Sequence, residues 1–148
     1  MGRESLERLG RGPRVVSVGG TGRVVLDASA IVDVLVHNER TAAVREAVGS
    51  AEQHVPSHFD TEVLSALGRM HRAGLLTDGE VRLRLGVLAR SSMTRHPLAS
   101  LLPGAWVRRH RLQLPDALYA ELAFSLDAPL ITCDAGLAAQ VPGSVLVG

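Results

Sequence analysis

The chain has 148 residues, enough for one domain with a real core and cramped for two. Its sixteen basic residues are all Arg, against fifteen acids, and the missing Lys excludes a Schiff-base amine, a phosphate-loop Lys and a Ser–Lys pair. The lone Cys133 excludes an internal disulfide and a Cys-based zinc cage, and no apolar run reaches the ~18–20 residues of a membrane span, so a cytoplasmic protein with no membrane partner is expected.

Residues 1–23 hold five Arg, two Glu and six Gly and read as a flexible basic arm ahead of a domain spanning 24–148. Arg3 to Arg14 has the charge of a signal-peptide start, but the apolar segment Val15–Val18 is too short for one. Val24–Asp27 reads as a buried strand, followed by helices over 28–36 and 39–51. His54–Pro56 is a short strand. A long helix then runs from a Ser57 cap to about Ala73, with Asp60 completing a capping box and Gly74 ending it. Further elements are a helix over 78–90, a strand over 93–96, and mixed helix over 98–109 interrupted by Pro103-Gly104. An apolar helix opens at Pro115 or Asp116 and runs to Leu126, before a strand over 129–132, a short helix over 135–140 and a last strand over 144–147. Strands alternating with helices predict βαβ units and a parallel sheet covered on both faces. With only four aromatic residues, the core must be mainly Leu, Val and Ala. Leu75, Leu76, Leu83, Leu101 and Trp106 are read as part of it, with a groove for a second copy of the chain or a partner protein as their other use.

Four acids fall in informative places. Asp27 ends the first strand and Asp134 follows the strand at Leu130-Ile131, so both lie at the carboxyl edge of a parallel sheet. Helices return from that edge, which also places Glu62 and Asp116, in the opening turns of their helices, close to it. Open α/β sheets bind ligands there. Glu62 borders the apolar stripe of Phe59, Val63, Ala66, Leu67 and Met70, a position from which a charge can enter a cleft. Each acid alone has an ordinary use as a helix cap or a solvated side chain. Four like charges from separate units repel, however, and a cation would stabilise them. An oxygen-only set suits Mg²⁺ or Mn²⁺, and carboxylate-held ions of this kind serve phosphodiester cleavage.

These segments resemble the motifs of PIN-domain ribonucleases. Val24 to Ala30 is similar to the first motif, and Val55-Pro56 through Glu62-Val63 to Arg69, Arg72 and Gly74 to the second. Asp116-Ala117-Leu118-Tyr119 is similar to the third, and Pro129 to Asp134 to the fourth. The nearest resemblance is to the small stand-alone VapC toxins of toxin–antitoxin pairs. It implies an α/β fold, a PIN-like three-layer sandwich with a short, five-stranded parallel sheet flanked by helices. It implies a Mg²⁺- or Mn²⁺-dependent endoribonuclease with Asp27, Glu62, Asp116 and Asp134 as catalytic, metal-binding quartet. Ser29 and Thr132 would be supporting hydroxyls, although hydroxyls in such places also cap helices. The implied partners are structured RNA such as tRNA or rRNA, a small cognate antitoxin and a second copy of the chain. In two places the sequence departs from the pattern. Phe124 stands where an acid is frequent, with Glu121 one turn earlier, and Ala135-Gly136 stands where a base commonly follows the fourth Asp.

Other chemistries fit less well. The six His show no HExxH spacing, and Pro56 keeps His54 and His58 off a shared helix face, so structural or surface roles are expected. No GxSxG elbow is present, and Cys133 reads as a small core residue. Receiver domains and haloacid-dehalogenase-like phosphatases also use strand-end acids, but both need a Lys. A non-catalytic PIN-like module that binds RNA or an antitoxin is the alternative to the enzyme.

The near-zero net charge conceals a division. The arm is net +3, residues 81–115 carry seven Arg and no acid, and the remainder has four Arg against thirteen acids. The Arg-rich stretch is either a solvated face with internal ion pairs or a phosphate-binding belt. On the second reading Arg108, Arg109 and Arg111, just before Asp116, are the expected RNA contacts.

Overall fold

The computed structural model describes residues 22–148, so the expected arm lies, up to residue 21, outside the described residues. Five parallel strands form one sheet in the order β3-β2-β1-β4-β5: β1 (Arg23–Leu26), β2 (Glu52–Pro56), β3 (Thr94–His96), β4 (Leu130–Thr132) and β5 (Val145–Leu146). β1 takes in Arg23, the last residue read as arm, and pairs it with Glu52. Helices α1 (Ala28–Val36), α2 (Thr41–Val48), α3 (Phe59–Arg72), α4 (Asp78–Ala89), α5 (Leu102–Val107), α6 (Leu114–Leu126) and α7 (Ala135–Gln140) flank the sheet. Among the described residues no helix is long and apolar enough to cross a membrane.

The strand order follows from where the chain turns back. It builds outward from β1 through β2 to β3, then returns to the other side of β1 as β4 and continues to β5. The switch in direction therefore lies between β1 and β4, where a parallel sheet opens a crevice at its carboxyl edge. Val24, Val25 and Leu26 of β1 and Leu130, Ile131 and Thr132 of β4 are fully buried, as continuous apolar runs in a two-sided sheet require. α6 packs on β1, β2 and β4, and contributes buried Ala117, Leu118, Tyr119, Ala120, Leu122 and Ala123. Tyr119 and Phe59 are the largest fully buried side chains, set among Leu, Val and Ala.

Several local expectations are corrected. Helix α3 starts at Phe59, and its cap position is His58 with no side-chain cap. The expected Ser57–Asp60 capping box is absent because Asp60 turns outward to take both Nε (2.6 Å) and Nη2 (3.1 Å) of Arg95 from β3. A complete capping box instead opens α4, between Thr77 and Glu80. α2 is shorter than expected, since the loop before it is organised by Asp33: Asn38, Arg40 and Thr41 all donate to that residue. Pro103 and Gly104 lie within α5, where a first-turn proline loses no hydrogen bond. Gly74 ends α3 with φ +76°, a conformation that disfavours a Cβ. Leu76 and Leu101 join the core, whereas Leu75, Leu83 and Trp106 are exposed.

Candidate active site

The switch point between β1 and β4 opens into a cleft of about 570 Å³, and all four acids line it. Each arrives by a different route. Asp27 is the cap residue of α1, but its side chain makes no cap hydrogen bond. Its Oδ2 instead accepts from Ser29 Oγ at 2.6 Å and Thr132 Oγ1 at 2.9 Å. Those hydroxyls are held in turn, since Ser29 Oγ accepts from the Cys133 amide (3.2 Å) and Thr132 Oγ1 from the Asp134 amide (3.0 Å). One carboxylate, two hydroxyls and two amides thus stitch the end of β1 to the end of β4. Asp27 is 7% exposed, so this network also satisfies a buried charge.

Asp134 does cap a helix: its Oδ1 accepts from the Leu137 amide at 3.0 Å, which fixes the side chain at the cleft rim. Glu62 comes from the first turns of α3, where Oε1 accepts from the Tyr119 hydroxyl at 2.7 Å and lies 3.2 Å from His58 Nε2. His58 Nε2 also faces the Pro115 carbonyl at 3.0 Å. Both neighbours are acceptors, so Nε2 carries the proton. Asp116, in the first turn of α6, has no hydrogen-bonding side-chain partner among the described residues. Burial pushes its carboxyl above the ordinary Asp range, and the charges of Asp27, Glu62 and Asp134 push it further.

That repulsion marks the site as one short of positive charge. The donors are all carboxylate or hydroxyl oxygens, which fit a hard divalent cation. No three His, Cys, Asp or Glu among the described residues already stand in gripping distance of one ion. Mg²⁺ is usually held by only one or two carboxylates with its waters retained, so the quartet fits it without a closed cage.

Sequence reasoning missed several neighbours of the quartet. Tyr119 and His58 contact Glu62 from outside the cleft lining, and Asp33, Arg40 and Arg69 line the cleft. A buried tyrosine needs a partner for its hydroxyl, and Tyr119 stands one helical turn after Asp116; that signal could have placed it. Cys133 is a half-buried cleft residue, and its thiol is pushed up to about 12 by burial and the nearby Asp33, so it stays protonated.

The Arg-rich stretch is placed elsewhere. Arg108 pairs with Glu121 and lies over the Phe124 ring, Arg109 stacks on Trp106 with 4.7 Å to the ring centroid, and neither they nor Arg111 lines the acidic cleft. Arg82 pairs with Asp78 and Arg95 with Asp60. Much of the belt is thus internal pairing. Glu121, one turn before the position where Phe124 departs from the family pattern, faces Arg108 rather than the quartet.

Comparison with known proteins agrees with this architecture. The PIN domain family matches residues 24–141. Ribonuclease VapC3 of Mycobacterium tuberculosis is 50% identical over 127 residues, which cover 85% of this chain and 93% of that protein. Ribonuclease VapC12 of the same organism is 34% identical over 115 residues, 78% of this chain and 89% of that protein. Among solved structures, PAE2754 from Pyrobaculum aerophilum superposes with a TM-score of 0.63 at 25% identity, covering 89% of this chain and 90% of that one. VapBC2 from Rickettsia felis, solved with a promoter DNA fragment, has the same fold at 14% identity, with a TM-score of 0.61 over 83% of this chain and 96% of that one.

Proposed function

The chain belongs to the PIN-domain family, and from that premise we propose that it is an endoribonuclease, the toxin of a toxin–antitoxin pair, that hydrolyses RNA phosphodiester bonds with Mg²⁺ or Mn²⁺. One observation carries the reading: four carboxylates from four segments, Asp27, Glu62, Asp116 and Asp134, surround one cleft at the sheet's switch point.

Asp27, Asp116 and Asp134 are the residues that would hold the cation, with Glu62 on the α3 side. When bound, the cation supplies Lewis acidity to a phosphodiester oxygen and acidity to a water. The chain's own groups do the rest. Ser29 and Thr132 fix the orientation of Asp27, so that Oδ1 is left for the cleft. Tyr119 and His58 hold Glu62 by one oxygen, which leaves its other oxygen to accept a proton or orient a water. The high proton affinity of Asp116 makes it the carboxylate most relieved by a cation.

The partners follow from the same reading: structured RNA as substrate, a small antitoxin as inhibitor and a second copy of the chain. A non-catalytic module has no use for four unneutralised acids in one cleft, so the enzyme is the better account. The test is cleavage of structured tRNA and rRNA by the purified protein with Mg²⁺, Mn²⁺ or chelator, alongside Asp27→Asn and Asp116→Asn. Cleavage that needs the metal and both carboxylates is the expected result. RNA binding without cleavage under either metal would establish the non-catalytic module instead.

A further inference from the structure

Two guanidinium groups stand at the acidic cleft and neither pairs with the quartet. Arg40 comes from the loop between α1 and α2, and Arg69 from α3, seven residues after Glu62 and therefore on the same helical face. Four carboxylates lining one cleft would ordinarily draw such cations into ion pairs. Arg40 is instead held away from them by Asp33, at 3.4 Å, and keeps 42% of its side chain exposed. The Asp33 network of Asn38, Arg40 and Thr41 shapes the loop that carries it. Arg69 has no ion pair or side-chain hydrogen bond among the described residues. Outside the cleft, Arg84 is held by the Leu35 and Glu80 carbonyls, Arg95 by Asp60 and Arg108 by Glu121.

The cleft thus presents an anionic floor and, on its α1–α2 and α3 walls, two cations that do not pair with the quartet. A phosphodiester accompanied by a divalent cation matches both halves at once. We propose that Arg40 and Arg69 form the phosphate clamp of this site, gripping the RNA backbone on the walls of the acidic cleft in place of Arg108, Arg109 and Arg111. Guanidinium forks suit this task because they bind phosphate oxygens in pairs. Both act as positioning residues: they fix the strand over the quartet and take no part in proton transfer.

The inference rests on the nuclease reading, so binding and cutting are measured separately. Binding uses a fluorescein-labelled oligoribonucleotide with chelator present, so that the metal-dependent reaction cannot run, titrated at several salt concentrations with the full chain. Cutting uses the same RNA with Mg²⁺. Arg69→Ala and Arg40→Ala are each expected to weaken binding severalfold and to flatten the log affinity against log salt line by about 0.7. Arg45→Ala, which removes the same charge from an exposed site on α2 outside the cleft, should leave both unchanged. Arg69→Lys should restore the salt slope but not the full affinity, because charge returns without the fork. In the cleavage arm the Ala variants should raise KM with kcat within about twofold, the pattern of lost uniform binding. Arg69 has no described partner to lose, so Arg69→Ala keeps the test decisive if Arg40→Ala misfolds. Binding by Arg69→Ala that matches Arg45→Ala overturns the clamp. Wild-type protein that binds the oligonucleotide and cuts nothing overturns the nuclease reading instead, and leaves the clamp to stand or fall on the salt slopes.

Discussion

The Tyr119 hydroxyl donates to Glu62 Oε1 at 2.7 Å, joining α6 to α3 behind the cleft. Burial and the Glu62 carboxylate both hold the phenol proton in place, far above the ordinary tyrosine value, so Tyr119 is a donor at every working pH. A hydrogen bond to a charged group contributes roughly 1.5–3 kcal/mol. Tyr119→Phe keeps the ring and deletes only that bond. If Glu62 orients a water or accepts a proton, kcat for RNA cleavage should fall about ten- to a hundredfold, with KM nearly unchanged. An unaltered kcat would reduce the contact to packing.

Asp116 gives a test that needs no substrate. Its carboxyl is raised in the folded state by burial and by Asp27, Glu62 and Asp134. A raised acid binds its proton more tightly when folded. Its stabilising share is therefore fully present below the unfolded Asp range and is lost as pH rises through the folded value. At neutral pH without divalent cations the fold carries this strain, and Asp116→Asn should melt higher than wild type while cutting no RNA. The gap in Tm should shrink as pH is lowered and when Mg²⁺ is added. Differential scanning fluorimetry from neutral to mildly acidic pH reads both trends, and a mutant melting lower at every pH would contradict the repulsion.

How much of this was legible depends on the range of the interaction. The strand at Val24–Leu26 and the helix at Ala28–Val36 are local patterns, and sequence and structure agree on them. The cleft acids were visible for the same reason, because Asp27 and Asp134 end strands and topology alone sends them to one edge. Capping was harder. Ser57 and Asp60 have the capping-box spacing, but Arg95, 35 residues away, competes for Asp60 and wins with two bonds. The Arg-rich stretch left two readings open for the same reason, since the Glu121 that takes Arg108 cannot be found by reading neighbours. Arg69 stands two turns after Glu62, a spacing that could have placed it, whereas Arg40 reaches the cleft through the packing of the loop between α1 and α2.

His96 predicts the acid limit of the sheet edge. Its Nε2 lies 2.9 Å from His54 Nδ1, while His54 Nε2 faces Glu52 at 3.4 Å. The bond between the rings needs one bare nitrogen, so the two rings cannot both be charged. Burial, then the His54 charge, lowers the His96 value below the usual 6.5. A lowered histidine contributes stability that is present above its unfolded value and lost as pH falls through the folded one. Tm should accordingly decline from pH 7 to about 5, and His96→Gln should flatten that decline. Equal slopes for the two proteins would assign the acid limit to other groups.

Gly104 ties the Arg108–Glu121 pair to the backbone. Arg108 Nη1 donates to the Gly104 carbonyl at 2.9 Å and also to Glu121, and a Cβ at Gly104 would collide with the Glu121 carboxylate. Gly104→Ala must therefore expel Glu121 and strand Arg108, a half-buried charge. Overpacking and the broken pair together should cost about 1–3 kcal/mol in urea unfolding. Glu121→Ala alone removes the obstacle and the pair, so adding Gly104→Ala to it should cost little more. The double-mutant cycle should then show coupling of at least ~1 kcal/mol, as expected for residues in contact. Cleavage should survive in all three proteins, because Glu121 faces away from the quartet. Additive costs would mean that helix α5 absorbs the extra methyl by shifting, and that Glu121 is not what requires glycine at this position.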